Sequence, residues 1–392
     1  MPMEEEIHTD RSDLRSKKLR TNLPDTSIAR VTRREVLGVG GGLVIGAAAA
    51  ALGLSAFSPG VPTTATTTVT QTAMQTATQT VVAATTAAPQ ATIVALAAYL
   101  DVDFYIPIKA SVADAASMFN VNFKLTGVPG GDYHAFADIF SATIAQKPDG
   151  IIIEEADPSL FPLTKQSISQ GIPVVSWIVD DANTLSDPHP SGRLAYIGTD
   201  QHSLGLQLAN DVLPAIQALS PPAKAEAAIF IQRPGAPDLE QRAQGYKDVL
   251  GPAGFTITEH LAGPETVAQS ESLVESYLIS HPGVVAAFGC DGISSPGVGE
   301  AINKLNLKSK VVGAGFDLIP ENLTAVQQGN LLAVANQQPY ITLPQAVFTL
   351  LATKLSNGLI APWSSLTGAS VVDQKNVANF YQNASSKYVG AK

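Results

Sequence analysis

From residue 91 onward, short apolar runs alternate with longer stretches in which apolar residues recur every three or four positions. The runs have the length of strands buried on both faces, and the stretches between them can cross back over a parallel sheet as helices. The pattern predicts strands at residues 93–97, 121–126, 150–153, 173–179, 194–198, 227–231, 255–260, 284–289, 310–316 and 331–335. Helices are predicted at residues 106–118, 133–146 and 160–170. The sequence therefore predicts an α/β fold made of two similar units with parallel sheets.

A long uncharged segment at residues 36–57, rich in Ala, Gly, Leu and Val, has the length needed to span a bilayer. Arg33 and Arg34 precede it, so the positive-inside rule places residues 1–35 in the cytoplasm as a head. The sequence Thr-Arg-Arg-Glu-Val-Leu at 32–37 is similar to a twin-arginine export signal. We expect residues 36–57 to be either a retained transmembrane anchor or the apolar region of a signal.

Residues 58–90 are composed largely of Thr, Ala, Val and Gln. This composition offers too few bulky apolar groups to build a core, so the segment is interpreted as a stalk. Everything after the apolar segment is predicted to be extracytoplasmic, and anchored at the cell surface if the segment is retained.

Charge and cysteine content exclude several kinds of partner. The chain carries 24 Lys and Arg against 34 Asp and Glu, for a net charge of −10. Residues 91–392 hold most of the excess acid, which repels nucleic acid and favours a neutral ligand. Cys290 is the single cysteine and the six histidines show no metal-ligand spacing, so we expect no disulfide, metal or cofactor.

One strand end has the chemistry of a ligand site. The apolar run at 310–316 stops at Asp317, and the next predicted strand leads to Gln337 and Pro339. In a parallel sheet, ligands collect at the carboxyl ends of strands, where a carboxylate accepts hydroxyl hydrogens. A strand-terminal Asp is also a common helix N-cap, and this alternative stays open at this point.

Six segments occur in an order and spacing that resemble the type I periplasmic solute-binding proteins, in particular the ribose and simple-sugar branch that supplies ABC importers. These segments are residues 148–153, 171–175, 194–200, 241–246, 313–317 and 337–340. The resemblance covers residues 91–392 and implies a periplasmic-binding-protein type I fold, with two Rossmann-like lobes and a three-strand hinge. The N-terminal lobe would comprise residues 91–199 and 338–366, and the C-terminal lobe residues 200–337 and 367–392. Crossings between the lobes would lie near 198–200, 335–339 and 365–367.

The resemblance also implies ligand residues. Phe104 and Tyr105 would stack on a sugar, with Asp101 or Asp103 as a polar contact, although aromatics here are also typical of a core and acids of a helix cap. In the second lobe, the residues implied to contact hydroxyls are Arg242, Asp291, Asp317 and Gln337. Arg242 has the alternative of a structural ion pair, and Asp291 that of a turn residue ahead of Gly292.

One departure from the family pattern follows the fourth strand, where simple-sugar binders have an Asp or Asn. This sequence has Trp177, Ile178 and Val179 there, followed by Asp180 and Asp181. Either the carboxylate role has moved to Asp180 or Asp181, or the ligand lacks that hydroxyl, or Trp177 forms a wall. We take Asp181 as the candidate ligand residue.

The resemblance implies an extracytoplasmic protein that captures a sugar, a monosaccharide or similar neutral polyol, by lobe closure and delivers it to an ABC permease, and the apolar segment at 36–57 predicts that it is tethered to the membrane. An enzyme is not expected, since no Gly-x-Ser-x-Gly or His-Glu-x-x-His motif occurs. The alternative is the ligand-sensing receptor domain of a membrane signalling system.

Overall fold

The computed structural model of the protein describes residues 64–71, 75–82, 91–181, 189–260, 264, 266–358 and 364–383. They belong to two compact units, and the boundary between these units in the sequence lies between Thr85 and Thr86. The predicted cytoplasmic head and the predicted membrane segment, residues 1–57, lie outside the described residues. Among the helices that are described, none is long and apolar enough to cross a membrane.

Within the predicted stalk, two strands form an antiparallel pair. Strand β1 (Thr64–Gln71) runs beside β2 (Gln75–Val82), with Thr64 opposite Val82. Thr and Val are β-branched and favour extended backbone, which accounts for the pairing. The composition of this segment predicts a stalk without a core, and these two strands were not predicted from the sequence.

One of the two layered halves of the larger unit contains a six-stranded sheet, built mostly from residues 92–198, in which all pairings are parallel. Its strands, numbered along the chain and given in spatial order, are β13 (Ser364–Leu366), β7 (Tyr196–Gly198), β6 (Val174–Trp177), β5 (Gly150–Ile153), β3 (Thr92–Ala97) and β4 (Asn122–Gly127). Its helices are α1 (Ile106–Phe119), α2 (Tyr133–Ala145), α3 (Phe161–Ser169) and α9 (Pro339–Leu355). We call this layer structure the first lobe.

The second lobe repeats the arrangement. Its strands in spatial order are β14 (Ser370–Asp373), β12 (Ala333–Asn336), β11 (Val312–Phe316), β10 (Val284–Gly289), β8 (Glu226–Phe230) and β9 (Thr256–His260), and β14 runs antiparallel to β12. The helices are α4 (Gln201–Ala218), α5 (Pro237–Leu250), α6 (Val267–Ser280), α7 (Ser294–Lys304), α8 (Pro320–Gln328) and α10 (Val377–Asn383).

Both faces of each sheet are covered, which explains why the strands are continuously apolar. In β5, Ile151 and Ile153 pack in one apolar cluster with Phe136 of α2, while Ile152 packs in a cluster on the opposite face. All three isoleucines are fully buried. A polar residue at any of these positions would meet a helix layer instead of water.

Helix α9 follows the second lobe in sequence but completes the core of the first. Its residues Leu343, Val347 and Leu350 belong to the cluster that contains Ile152 and Val175. The helix also packs against α1. One face of the first sheet is therefore covered by α1 together with a part of the chain that follows most of the second lobe.

The chain passes between the lobes three times, at residues 198–201, 336–339 and 366–370. The Thr199 hydroxyl lies within 3.3 Å of the Gln337 and Gly368 carbonyl oxygens and of the Thr367 hydroxyl, so one side chain connects all three crossings. Two parallel-dominated α/β lobes with three crossings confirm the predicted fold class.

The strand predicted at 173–179 ends two residues early, at Trp177. Ile178 has φ 62°, a left-handed conformation that is unusual for a β-branched residue. Its N–H donates to the Ile197 carbonyl (3.0 Å), and its carbonyl accepts from the Tyr196 hydroxyl (3.0 Å), so hydrogen bonds on both sides hold the strained backbone. The turn directs Ile178 and Val179 toward the space between the lobes.

Candidate functional site

A cleft with about 590 Å³ of empty space, including its open mouth, lies between the lobes. It is formed where the carboxyl ends of strands from both sheets face each other, the usual ligand position in parallel α/β folds. The structure brings seven of the nine predicted ligand residues to this cleft: Asp103, Phe104, Tyr105, Arg242, Asp291, Asp317 and Gln337. Asp101 and Asp181 are not among the residues that line it.

The cleft wall of the first lobe is largely apolar and aromatic. Phe104 meets Tyr105 edge to face with 5.4 Å between ring centroids, and Tyr105 in turn meets Trp177 at 6.4 Å. Tyr105 is buried, whereas Phe104 is only partly buried. Trp177 donates its indole N–H to the Leu96 carbonyl (3.2 Å) and belongs to the core beneath the wall rather than to its surface.

The wall of the second lobe is organised around Arg242. Its Nε donates to Gln201 Oε1 (2.9 Å), Nη1 to the Cys290 carbonyl (2.7 Å) and Nη2 to Gln337 Oε1 (2.7 Å). Nη2 also lies 3.6 Å from Asp238 Oδ2. The planar fork of the guanidinium thus fixes several groups at defined angles, which a lysine does not reproduce.

Two glycines allow α5 to bring Arg242 close to α4. A Cβ atom at Gly205 would lie 2.4 Å from the Arg242 carbonyl oxygen, and one at Gly245 would lie 2.4 Å from the His202 carbonyl oxygen. Both distances are below van der Waals contact, so the helices approach this closely only because side chains are absent there. The close approach places Gln201 beside the guanidinium.

Asp317 ends β11 in the centre of the cleft. Its Oδ1 accepts a hydrogen bond from Gln337 Nε2 (2.6 Å). Burial raises the pKa of Asp317 to about 6, although nearby Arg242 and the bond from Gln337 act to lower this pKa. The N-cap residue of α8 is Ile319, which makes no side-chain cap, so the helix-cap alternative for Asp317 does not describe this geometry.

Asp291 lines the same cleft but its carboxylate is already occupied. Oδ1 accepts from the N–H groups of Ile293 (2.9 Å) and Ser294 (2.7 Å), and Oδ2 accepts from the Gln232 N–H (3.0 Å) and the Ser294 hydroxyl. Four hydrogen bonds fill the acceptor capacity of a carboxylate. In this structure Asp291 orders the turn ahead of α7, which matches its turn alternative.

Asp101 and Asp181 take part in loop structure elsewhere. Asp101 is exposed and its Oδ1 accepts from the Gly130 N–H (3.1 Å). Asp181 contacts His189 through Oδ1 and accepts from the Ser191 N–H (2.8 Å) through Oδ2. These bonds connect Asp181 to the far end of its own loop instead of to the cleft.

The neighbour Asp180 is engaged in the same way. Arg193 donates to it through Nε and Nη2, both at 2.6 Å, in a bidentate pair that is fully buried on the arginine side. Asp180, Asp181 and His189 lie close enough to share a cation, but the guanidinium of Arg193 already supplies the positive charge. After the fourth strand, where the resemblance implies an Asp or Asn, the residues that line the cleft are Ile178 and Val179.

Several polar residues of the cleft were missed by the sequence predictions. Asp238, four residues before Arg242 on α5, faces both arginines of the site, Arg242 (3.6 Å) and Arg233 (3.7 Å). Its Oδ1 is buried and accepts no hydrogen bond from the described residues. The helical i, i+4 spacing of Asp238 and Arg242 was the signal available in the sequence.

Arg233 connects the two walls. It extends from the second lobe so that its guanidinium lies 4.4 Å from the centroid of the Tyr99 ring, and its Nη1 donates to the Tyr133 hydroxyl (2.8 Å). Both aromatic residues belong to the first lobe. Arg233 and Glu154, which also lines the cleft, come shortly after β8 and β5, so the strand-end rule applied to Asp317 was their signal.

Two α/β lobes that enclose a cleft and supply hydrogen-bonding side chains from strand ends define a two-lobed binding protein. Residues 93–357 match the family model described as periplasmic binding protein domain, and the chain belongs to this family. The resemblance to type I periplasmic solute-binding proteins is thereby confirmed. Membership of this family implies an extracytoplasmic location.

Several known proteins are similar to this chain. The xylose/arabinose-binding protein XylF of Sulfolobus acidocaldarius is 26% identical over 299 residues, 73% of each chain. The crystal structure of GanP, a glucose-galactose binding protein from Geobacillus stearothermophilus, is 25% identical with a TM-score of 0.64, over 73% of this chain and 98% of that one. A structure described as the XylFII–LytSN complex is 20% identical with a TM-score of 0.63, over 72% and 98% of the chains, which shows the fold alone.

Proposed function

We propose that this protein captures a neutral sugar between its lobes. The observation that carries the proposal is the contrast between the two walls. The first lobe offers an aromatic and apolar face that includes Phe104, and the second offers the Arg242 network with Asp238 and Asp317. A pyranose has the matching surfaces, because its C–H face suits an aromatic ring and its hydroxyls both donate and accept.

The charges of the cleft support a neutral ligand over an ionic one. Arg233 and Arg242 already face Asp238, and the bonds of Arg242 hold Gln201 and Gln337 in place. Asp238 lines the cleft, and its buried Oδ1 accepts no hydrogen bond from the described residues, so this carboxylate keeps an unused acceptor beside the ligand site. A charged group on the ligand would place an unpaired charge beside these buried ion pairs, which is costly.

Titration calorimetry of the full-length protein against xylose, arabinose, glucose and galactose tests the proposal. We expect at least one of these neutral sugars to bind saturably. Glucuronate, in which a carboxylate replaces the terminal hydroxymethyl of glucose, is expected to bind about tenfold or more weakly, because a buried unpaired charge costs more than 1.4 kcal/mol. No binding by any neutral sugar, or preference for the acidic one, would refute the proposal.

Lobe closure is expected to depend on Arg233. Arg233→Met removes a cation–π contact and a hydrogen bond between the lobes, worth about 0.5–2 kcal/mol, so sugar affinity should fall roughly 2- to 30-fold. Small-angle scattering should show a larger radius of gyration for the variant without sugar. Tyr133→Phe is the matched control, since it removes the hydrogen bond but keeps both rings. An unchanged radius and affinity in Arg233→Met would contradict the role of Arg233 in closure.

The wider setting of this function is also proposed. A protein held at the cell surface by residues 36–57 would present the closed, sugar-bound form to an ABC permease, as the family resemblance implies. Co-purification of the intact protein with the permease, increased by sugar, is the corresponding measurement. A second candidate is the ligand-sensing domain of a membrane signalling system, in which the closed form reports to a partner protein; a structure of similar fold is described as the XylFII–LytSN complex. Sugar uptake by cells that lack the protein distinguishes the two candidates. Uptake should be lost if the protein serves transport and retained if it serves signalling alone.

A further inference from the structure

Two adjacent glutamates follow β5, and both are 1% exposed. Side chains alternate between the faces of an extended segment, so the two point in opposite directions. Glu154 lines the cleft, whereas Glu155 accepts a hydrogen bond from the Thr164 hydroxyl of α3. The chain thus carries, side by side, one buried acid at the ligand site and one buried acid away from it.

The contacts of Glu154 hold it firmly but leave acceptor capacity. Its Oε2 accepts from the Ala98 N–H (2.9 Å), and its Oε1 accepts from the Tyr105 hydroxyl. Each carboxylate oxygen has two lone pairs, so each keeps a site for a further donor. Within the largely apolar and aromatic wall of the first lobe, to which Asp103 also belongs, this carboxyl is positioned where a sugar hydroxyl would meet it.

We propose that Glu154 contacts the sugar from the first lobe and makes its capture depend on pH. The proposal rests on the proposed function, and it adds a ligand residue that the family resemblance did not imply. The ionised carboxylate accepts a charge-assisted hydrogen bond from a sugar hydroxyl, which is stronger than the bond to a neutral carboxyl.

The surroundings of Glu154 set the pH range. Burial raises the pKa of Glu154 to about 7, while the bonds from Tyr105 and Ala98 and the positive charge of Arg233 lower this pKa, and Asp238 raises it. Tyr105 comes from the segment before α1, and Arg233 and Asp238 from the second lobe. Glu154 therefore changes charge close to neutral pH, and affinity should rise as pH increases through about 7.

Glu154→Gln keeps the shape and one acceptor but removes the charge. At pH 8.5 we expect it to bind the preferred sugar of the panel about tenfold more weakly than the wild type, the difference between a charge-assisted and a neutral hydrogen bond. At pH 5.5, where the wild-type carboxyl is also neutral, the two affinities should agree within about twofold. Calorimetry at pH 5.5, 7 and 8.5 measures both, and Asp317 remains present in both proteins.

Glu155→Gln is the matched control. Burial also raises the pKa of Glu155, to about 8, but this residue faces α3, so the variant should bind the sugar like the wild type at every pH. Tyr105→Phe provides a second test, because loss of its hydrogen bond should raise the pKa of Glu154 and move the midpoint of the affinity change to higher pH. This test does not depend on the folding of Glu154→Gln.

Three results would overturn the inference. One is wild-type affinity for Glu154→Gln at pH 8.5, another is an equal loss in Glu155→Gln, and the third is an unshifted midpoint in Tyr105→Phe. Each leaves the proposed function intact, because the wild type still binds sugar. If the wild type binds no sugar at all, the proposed function fails and the inference fails with it.

Discussion

Asp317→Ala should bind the preferred sugar roughly 10- to 150-fold more weakly than the wild type. The substitution removes a buried charged acceptor whose hydrogen bonds contribute about 1.5–3 kcal/mol, at about 1.4 kcal/mol per factor of ten. It also leaves Gln337 Nε2, which donates to Asp317 Oδ1 at 2.6 Å, without that partner. Titration calorimetry at pH 8 measures the loss.

The backbone of Asp317 provides a control. Its φ of 79° is left-handed, a conformation that glycine adopts without strain and alanine does not. Asp317→Gly should therefore lose as much affinity as Asp317→Ala, with a smaller decrease in melting temperature than Asp317→Ala shows. If Asp317→Gly binds as tightly as the wild type, the carboxylate is not a ligand group and the cleft is misassigned.

Asp317→Asn separates binding from stability. Because burial raises the pKa of Asp317 from 3.8 to about 6, its stabilising contribution is complete below about pH 3.8 and is lost as pH rises through 6. The neutral amide avoids this loss, so the variant should melt at a higher temperature than the wild type at pH 8 and at a similar temperature at pH 4. Its sugar affinity should nevertheless be lower at pH 8, since the charge is gone.

Arg242→Met should destabilise the protein by about 3–5 kcal/mol, the usual cost of breaking a buried ion pair from one side. The substitution removes the donor to Gln201 Oε1 and the Cys290 carbonyl, leaves Gln337 Oε1 with only its bond from Gln201 Nε2 (2.9 Å), and leaves Asp238 with less compensation. Sugar binding should fall below detection, because the whole wall of the second lobe depends on this guanidinium. Urea unfolding and calorimetry measure the two effects.

Two further variants test the cause of the loss. Arg242→Lys keeps the charge but not the fork, so its stability should lie between those of the wild type and Arg242→Met. Adding Asp238→Asn to Arg242→Met should recover part of the lost stability, since it removes the uncompensated buried carboxylate. An unfolding midpoint in Arg242→Met equal to that of the wild type would show that the hydrogen bonds of Arg242 do not stabilise the fold.

Most of the fold could be predicted from local patterns of apolar and polar residues. Strand β5 was predicted with the bounds observed, because a short uninterrupted apolar run between polar turns fits a fully buried strand and is too short for a helix. The same patterns place Asp317 and Gln337 at a strand end and a crossing. The early end of β6 was not predictable, because Ile178 adopts a conformation that its side chain disfavours and that hydrogen bonds from distant residues hold in place.

The site was predictable only where position along a strand decides it. Asp291 and Asp317 occupy equivalent strand ends, yet neighbouring N–H groups fill the acceptors of Asp291, and this depends on how one turn folds. Arg233 contacts the Tyr99 ring of the other lobe, and no pattern within a short stretch of sequence identifies such a contact between lobes. Asp181 was taken as the candidate ligand residue because it follows the fourth strand, where the family resemblance implies an Asp or Asn, whereas in the structure its carboxylate contacts His189 and Ser191.

The late position of α9 in the chain has a consequence for biosynthesis. A ribosome completes residues 91–199 well before it reaches Leu343 and Val347, which cover Ile152 and Val175 in the finished protein. Until then α1 covers only part of that face of the first sheet and the rest remains open to solvent, and the contacts that α9 adds span almost two hundred residues, which makes them slow to form. The second lobe, whose main strands are nearly continuous in sequence, can assemble first. The nascent protein thus exposes part of an apolar sheet surface while residues 200–338 are being made, and chaperone binding is expected on the first lobe rather than on the second.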